Sequence, residues 1–155
     1  MRIPGTTPAT VRVAFVSWLV AVGAGVLETA LMMTGEEPPG DMATGLAVRS
    51  VVFVTAVAVA WQMLAGRRWA RLVLAAGLGV VGLSSLVADP IAWLAGGGSF
   101  TGLLAESGPA DLVFGVSRTI HTLAVLTATA LMFTPPSNAY FRRGTALLTP
   151  LPRRD

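Results

Sequence analysis

The sequence predicts an all-α protein, a polytopic membrane bundle of four transmembrane helices. Three observations predict it: an apolar composition, four apolar segments of spanning length, and loops that alternate in charge. Of the 155 residues, 54% are hydrophobic and 12% are charged, whereas a soluble domain carries about 25% charged residues. One small core cannot bury so much apolar surface, so lipid must solvate part of it.

The four apolar segments come close to the roughly 20 residues that cross a hydrocarbon core about 30 Å thick. They cover residues 13–33, 46–64, 72–88 and 112–133, and no proline lies inside any of them. Backbone groups in lipid must bond to one another, so each segment is predicted to be a helix. We expect one transmembrane domain over residues 1–143, with short interfacial turns in the outer loop at 90–110. A disordered cytoplasmic tail is expected over residues 144–155.

The loops between these segments divide by charge. Arginines lie before the first span, between the second and third, and after the fourth, whereas the other two loops hold six acids and no base. The positive-inside rule therefore places both termini in the cytoplasm. The membrane we expect is the plasma membrane of a bacterium. We expect five arginines to set this topology and to contact anionic lipid headgroups on the cytoplasmic side: Arg67, Arg68, Arg71, Arg142 and Arg143.

The first span has one rival interpretation, a secretory signal peptide. MRIPGTTPATVR would be its charged region and VAFVSWLVAVGAGVL its apolar core, with cleavage after Ala24. The apolar run continues through LETALMM and reaches spanning length. That length favours a retained helix.

Several function classes are excluded by composition. The chain has no cysteine, which excludes disulfides, thiolate metal sites and thiol redox chemistry. A net charge of +3 is spread over the ends of apolar runs rather than gathered in one patch, so no nucleic-acid partner is expected. All eleven basic residues are arginine, which, with the abundant Ala, Gly and Val, is typical of a high-GC bacterium.

Two stretches carry a family resemblance. WQMLAGRRWAR at 61–71 and MFTPPSNAYFRR at 132–143 resemble the turn and tail motifs of small uncharacterised four-span integral membrane proteins of actinobacteria. The resemblance implies a fold and a membrane location and brings no activity with it. Glu28 in the first span is also similar to the glutamate of small multidrug-resistance transporters. This chain departs from that family because it lacks the aromatic neighbours and has arginines nearby.

Ionisable and polar residues gather in the outer third of the predicted membrane. All four spans contribute to this intramembrane polar cluster, which comprises Glu28, Arg49, Ser85, Asp89, Arg118 and His121. A charge alone in lipid costs at least about 2.5–3.5 kcal/mol, so these groups should face the bundle interior. Small residues on the same helical faces, such as Gly25 beside Glu28, mark where membrane helices approach one another. We therefore predict a charge pair between Glu28 and Arg118.

Three interpretations of the polar cluster remain open from sequence. An interior ion pair can fix the register of the helices without any further role. Alternatively, His121 beside an acid can bind and release a proton or a ligand, or the cluster can contact a partner. Arg49 can also extend to the outer headgroups.

The function expected from these features is non-enzymatic. No catalytic residue is predicted, because the Ser84–Ser85 pair has no activating context. No cofactor is expected, and a single histidine with few nearby carboxylates makes a poor metal site. We expect an accessory or scaffold component that acts through helix contacts, with the lipid bilayer and a homo-oligomer or another membrane protein as partners. The alternative is an oligomeric small transporter or channel subunit.

The alternation of loop charge predicts the orientation of the chain. Alkaline phosphatase fused after residue 155 should be inactive, and the same enzyme inserted at Gly96 should be active, because only the outer side supports its folding. Active phosphatase at the C-terminus, or a mature N-terminus near Gly25, would contradict the four-span topology.

Overall fold

Four long helices make up the computed structural model, which describes residues 7–33, 42–99, 101 and 107–146, without the side chains of 143–146. They are α1 (Ala9–Met33), α2 (Met42–Leu64), α3 (Arg68–Ala95) and α4 (Pro109–Met132), followed by the short α5 (Pro135–Ala146). Each of the first four is long and apolar enough to cross a membrane. The predicted all-α, four-helix architecture is thereby confirmed.

The third helix is longer and less regular than the sequence predicts. It continues seven residues beyond Ala88 and contains Pro90 in its interior, so the PIAWLA stretch is helical rather than an interfacial turn. Residues Leu74–Gly82 in its centre form a π-helix. This form is rare in proteins and frequently occurs at functional sites. The tail predicted to be disordered covers residues 144–155, and its part after Ala146 lies outside the described residues.

The core lies in the half of the bundle on the side of the α2–α3 turn, here called the inner half, where α1 packs along α4. Alanines form much of this contact, which allows the backbones to approach closely. Trp18 is 1% exposed, and its indole Nε1 donates to the Met132 thioether, 3.5 Å away. The remaining core residues come from all five helices: Val11, Ala14, Ala21, Val59, Ala60, Met63, Ala70, Leu74, Ala124, Val125, Ala128 and Phe141.

The outer half is much less closely packed. Every residue of α2 from 43 to 52 is exposed. Buried residues make up 28% of the apolar window of α1 and 22% of that of α4, but only 11% for α2 and 6% for α3. Spans one and four are therefore the packed pair of the bundle, and spans two and three present most of their apolar side chains outward, where lipid solvates them.

The turn between α2 and α3 is closed by Gly66. Its φ of 84° lies in the left-handed region, and the amides of Gly66 and Arg67 donate to the carbonyls of Met63 and Gln62 at 2.9 and 3.1 Å. These two bonds form a Schellman motif, which satisfies the last carbonyls of the helix. The Tyr140 ring covers the glycine, and its hydroxyl donates to the Leu64 carbonyl at 2.8 Å.

Arg71 connects this turn to the segment after α4. Its guanidinium donates to the Asn138 amide oxygen at 2.6 Å and to the Met132 carbonyl at 3.2 Å. The rings of Phe133 and Phe141 lie 4.9 and 4.8 Å from the guanidinium carbon. The GRRWAR and PPSNAYFRR motifs thus pack against each other. Arg71, expected at the lipid headgroups, is partly buried between them.

Replacing Gly66 with alanine should destabilise the protein. A Cβ at this position would lie 3.3 Å from Tyr140 Cε1, and the left-handed conformation costs a non-glycine residue about 1–2 kcal/mol. Thermal unfolding in detergent should show a lower Tm for Gly66→Ala. Gly77→Ala is the matched control, since nothing lies within 4 Å of its added Cβ and alanine favours helix. Equal Tm values for the two variants would contradict this account of the turn.

Candidate functional site

Glu28 is buried in the bundle, with 6% of its surface exposed. It lies on the face of α1 that also carries Ala21 and Gly25, and all three are buried. Its Oε1 lies 3.1 Å from His121 Nδ1, and its Oε2 lies 3.7 Å from Arg118 Nη1. The structure therefore contains the predicted Glu28–Arg118 pair, but His121 is the closer partner of the acid.

Arg118 directs its stronger hydrogen bonds to a backbone carbonyl on α3. Its Nη2 and Nε donate to Leu86 O at 2.8 and 3.1 Å. In an unbroken helix this carbonyl would accept from the amide of residue 90, but Pro90 has no N–H to donate. Arg118 thus supplies the donor that the proline removes, and it joins α4 to α3.

All four spans meet at this site. Gly25 lets α1 approach α2, because a Cβ there would lie 2.9 Å from Phe53 Cε1 and 3.3 Å from His121 Cε1. One helical turn from the acid, the Ser117 hydroxyl donates to the Ala24 carbonyl at 3.3 Å. Close approach of the helix backbones therefore stabilises the site, in addition to the pairing of charges.

The other three members of the predicted cluster do not join it. Arg49 is exposed, and its Nη1 contacts the Met32 thioether at 3.5 Å. Ser85 and Asp89 are also exposed, and the Ser85 hydroxyl donates to the Gly82 carbonyl on its own helix. The outer end of α2 is exposed from residue 43 to 52, so similar position along the helices does not bring these groups together.

Sequence reasoning missed three participants: Ser117, Phe53 and the Leu86 carbonyl. The carbonyl had a readable signal, because a proline in a helix always frees the carbonyl four residues before it. That signal was lost when the third helix was predicted to end at Ala88. Phe53 and Ser117 carry no such signal, since their positions depend on how the helices pack.

The chemistry of the site is that of an acid shared between an imidazole and a guanidinium. Side chains of Arg118 and His121 are 21% exposed, so the site is not sealed. Within the described ranges, no three His, Cys, Asp or Glu side chains gather as a metal site would need. The arrangement can hold a proton between Glu28 and His121 and can fix three helices together.

Together, the four spans and the polar site define a small multi-pass helical membrane protein. Comparison with protein-family models, curated proteins and solved structures finds no match to this chain.

Arg118 should be the most costly residue of the site to remove. Arg118→Met leaves the Leu86 carbonyl without its donor and weakens the pairing of Glu28. We expect a loss of about 3 kcal/mol in unfolding free energy. Adding Glu28→Gln should recover the part due to charge, which thermal unfolding of the single and double variants measures.

Pro90→Ala tests the carbonyl separately. It restores an amide to position 90, so it should stabilise the Arg118→Met variant by about 1 kcal/mol more than it stabilises the wild type. Additive effects of Pro90→Ala and Arg118→Met would show that the arginine does not replace the missing amide.

Proposed function

We propose that this chain is a non-enzymatic accessory or scaffold protein of a bacterial plasma membrane that acts through helix contacts. Both termini lie in the cytoplasm. The main support for this proposal is that the charged side chains of the polar site bond to one another and to a backbone carbonyl of the same chain. Glu28, His121, Arg118 and the Leu86 carbonyl bond to one another and join α1, α3 and α4. Such a network stabilises the arrangement of helices and leaves their outer surfaces to make contacts.

The outward faces of α2 and α3 support this role. They carry exposed branched side chains, among them Val51 and Val54 on α2 and Val80 and Val81 on α3. Branched side chains lose little rotamer entropy when they pack, which suits them to helix–helix contact. Gly77 leaves open space on the same helix as Val80, and small residues allow a neighbouring helix to approach.

The basic inner end supports the proposed orientation. Arg67 precedes α3, Arg68 is its first residue, and Arg142 lies on α5. All three are exposed, as is Trp69 next to Arg68. Exposed arginines next to an aromatic residue are typical of the cytoplasmic interface, where anionic headgroups attract them. Arg143 lies on the same helix as Arg142.

A second candidate function is favoured by one specific contact. The 3.1 Å approach of His121 Nδ1 to Glu28 Oε1 places a titratable pair inside the membrane, and intramembrane acid–histidine pairs serve proton relays. On this hypothesis the protein is a subunit of an oligomeric small transporter, and the partly exposed His121 is the group that gains and loses a proton.

His121→Gln separates the two functions, because glutamine can keep a hydrogen bond to Glu28 but cannot bind and release a proton. For a scaffold, wild-type and variant proteoliposomes should show the same proton flux as empty vesicles. A photo-reactive residue at Val54 or Val81 should crosslink in cells to a defined membrane protein, including another copy. The same probe at the buried Ala128 is the matched control.

Proton flux that depends on pH and disappears in His121→Gln would overturn the scaffold proposal in favour of transport. Absence of any protein adduct from the outward faces of α2 and α3 would contradict action through helix contacts.

A further inference from the structure

Arg49 and Asp89 are the two charges of the predicted polar cluster that the structure leaves exposed. Both are exposed, and neither forms an ion pair with another described residue. They lie on α2 and α3, the two spans that bury least of their length. Every other charge of the predicted cluster is bonded within the chain, so these two require a separate explanation.

The two charges lie at similar levels relative to the polar site. Arg49 Nη1 contacts Met32, which lies one helical turn beyond Glu28, and Asp89 is three residues beyond Leu86, whose carbonyl bonds to the same site. At about 1.5 Å per residue, each charge therefore lies about 5 Å to the outer side of the Glu28 layer. Two copies inserted in the same direction can bring Arg49 of one to the level of Asp89 of the other.

We infer that the exposed surfaces around Arg49 on α2 and Asp89 on α3 bind a second copy of the same chain, in a twofold dimer held by two Arg49–Asp89 ion pairs. A charge at this level is costly when it faces lipid and much less so when it is paired. A twofold axis along the membrane normal makes both pairs at once, since the same patch is used by both copies. Charge complementarity thus identifies the partner as the chain itself.

The residues around the two charges allow close contact. On α2, nothing lies within 4 Å of a Cβ added at Gly45, one helical turn from Arg49. On α3, Ser85 and Ala88 are small, exposed and next to Asp89. A second helix can therefore approach the backbone near each charge, as membrane helix pairs require. This inference rests on the proposed function, because it names one partner of the outward faces.

Charge exchange between two variants tests the dimer directly. In Arg49→Asp, positions 49 and 89 are both acidic, and in Asp89→Arg they are both basic. Each variant alone should repel itself, and its dimer dissociation constant should rise at least tenfold, measured by energy transfer between labelled copies in liposomes at varied protein-to-lipid ratio. An equimolar mixture of the two variants forms two opposite-charge pairs and should return within about threefold of the wild type.

Recovery on mixing cannot come from a bond within one chain, such as one between Arg49 and the first acidic loop, which lies outside the described residues. Arg142→Asp is the control, since it makes the same charge change at an exposed site outside the spans and should leave dimerisation unchanged. Persistent dimers in both variants, or a mixture that stays monomeric, would overturn the inference. If Val54 still crosslinks to another membrane protein in that case, the scaffold function stands without the dimer.

Discussion

The outer half of this membrane bundle depends on one interaction, the double hydrogen bond from Arg118 to the Leu86 carbonyl. Pro90 has no amide hydrogen to donate to that carbonyl, and an unbonded carbonyl costs several kcal/mol in a membrane because no water can bond to it. The same guanidinium lies 3.7 Å from Glu28, whose other oxygen meets His121. One side chain therefore bonds to the carbonyl that the proline leaves without a donor and pairs with a buried acid. These contacts join three spans. The Leu86 carbonyl and the Glu28 carboxylate stabilise its charge within the bundle.

The inner end repeats this chemistry with a second arginine. Arg71 donates to the carbonyl of Met132, and the residue four positions later is Pro136, which has no amide to offer. The neighbouring Leu131 carbonyl, also in the last turn of α4, accepts from the hydroxyls of Thr134 and Ser137 at 2.9 and 2.7 Å. At both ends of the bundle, side chains thus bond to backbone carbonyls that a helix leaves without an amide donor. The two arginine contacts hold helices together at two levels of the bundle.

These contacts bear on function, since groups already used in them are poorly placed to serve a substrate. The Glu28–His121 contact is the exception, because a carboxylate and an imidazole 3.1 Å apart can share a proton. The surface charges Arg49 and Asp89 belong to neither of the two arginine contacts. They lie on the two spans that make the fewest internal contacts, where contact with another chain is least hindered.

The sequence by itself determined the number of spans, their helical state and the residues that carry charge into the membrane, because lipid imposes these through length and hydropathy alone. It also placed Glu28 opposite Arg118 and put Gly25 on the same face as the acid. Only the tertiary structure decided that His121 is the closer partner, that Arg49 and Asp89 are exposed, and that Arg71 is partly buried. The physical reason is that depth follows from position along a helix, whereas contact depends on how helices splay and rotate. Those angles are set by packing among alanines, glycines and valines that are nearly alike in sequence.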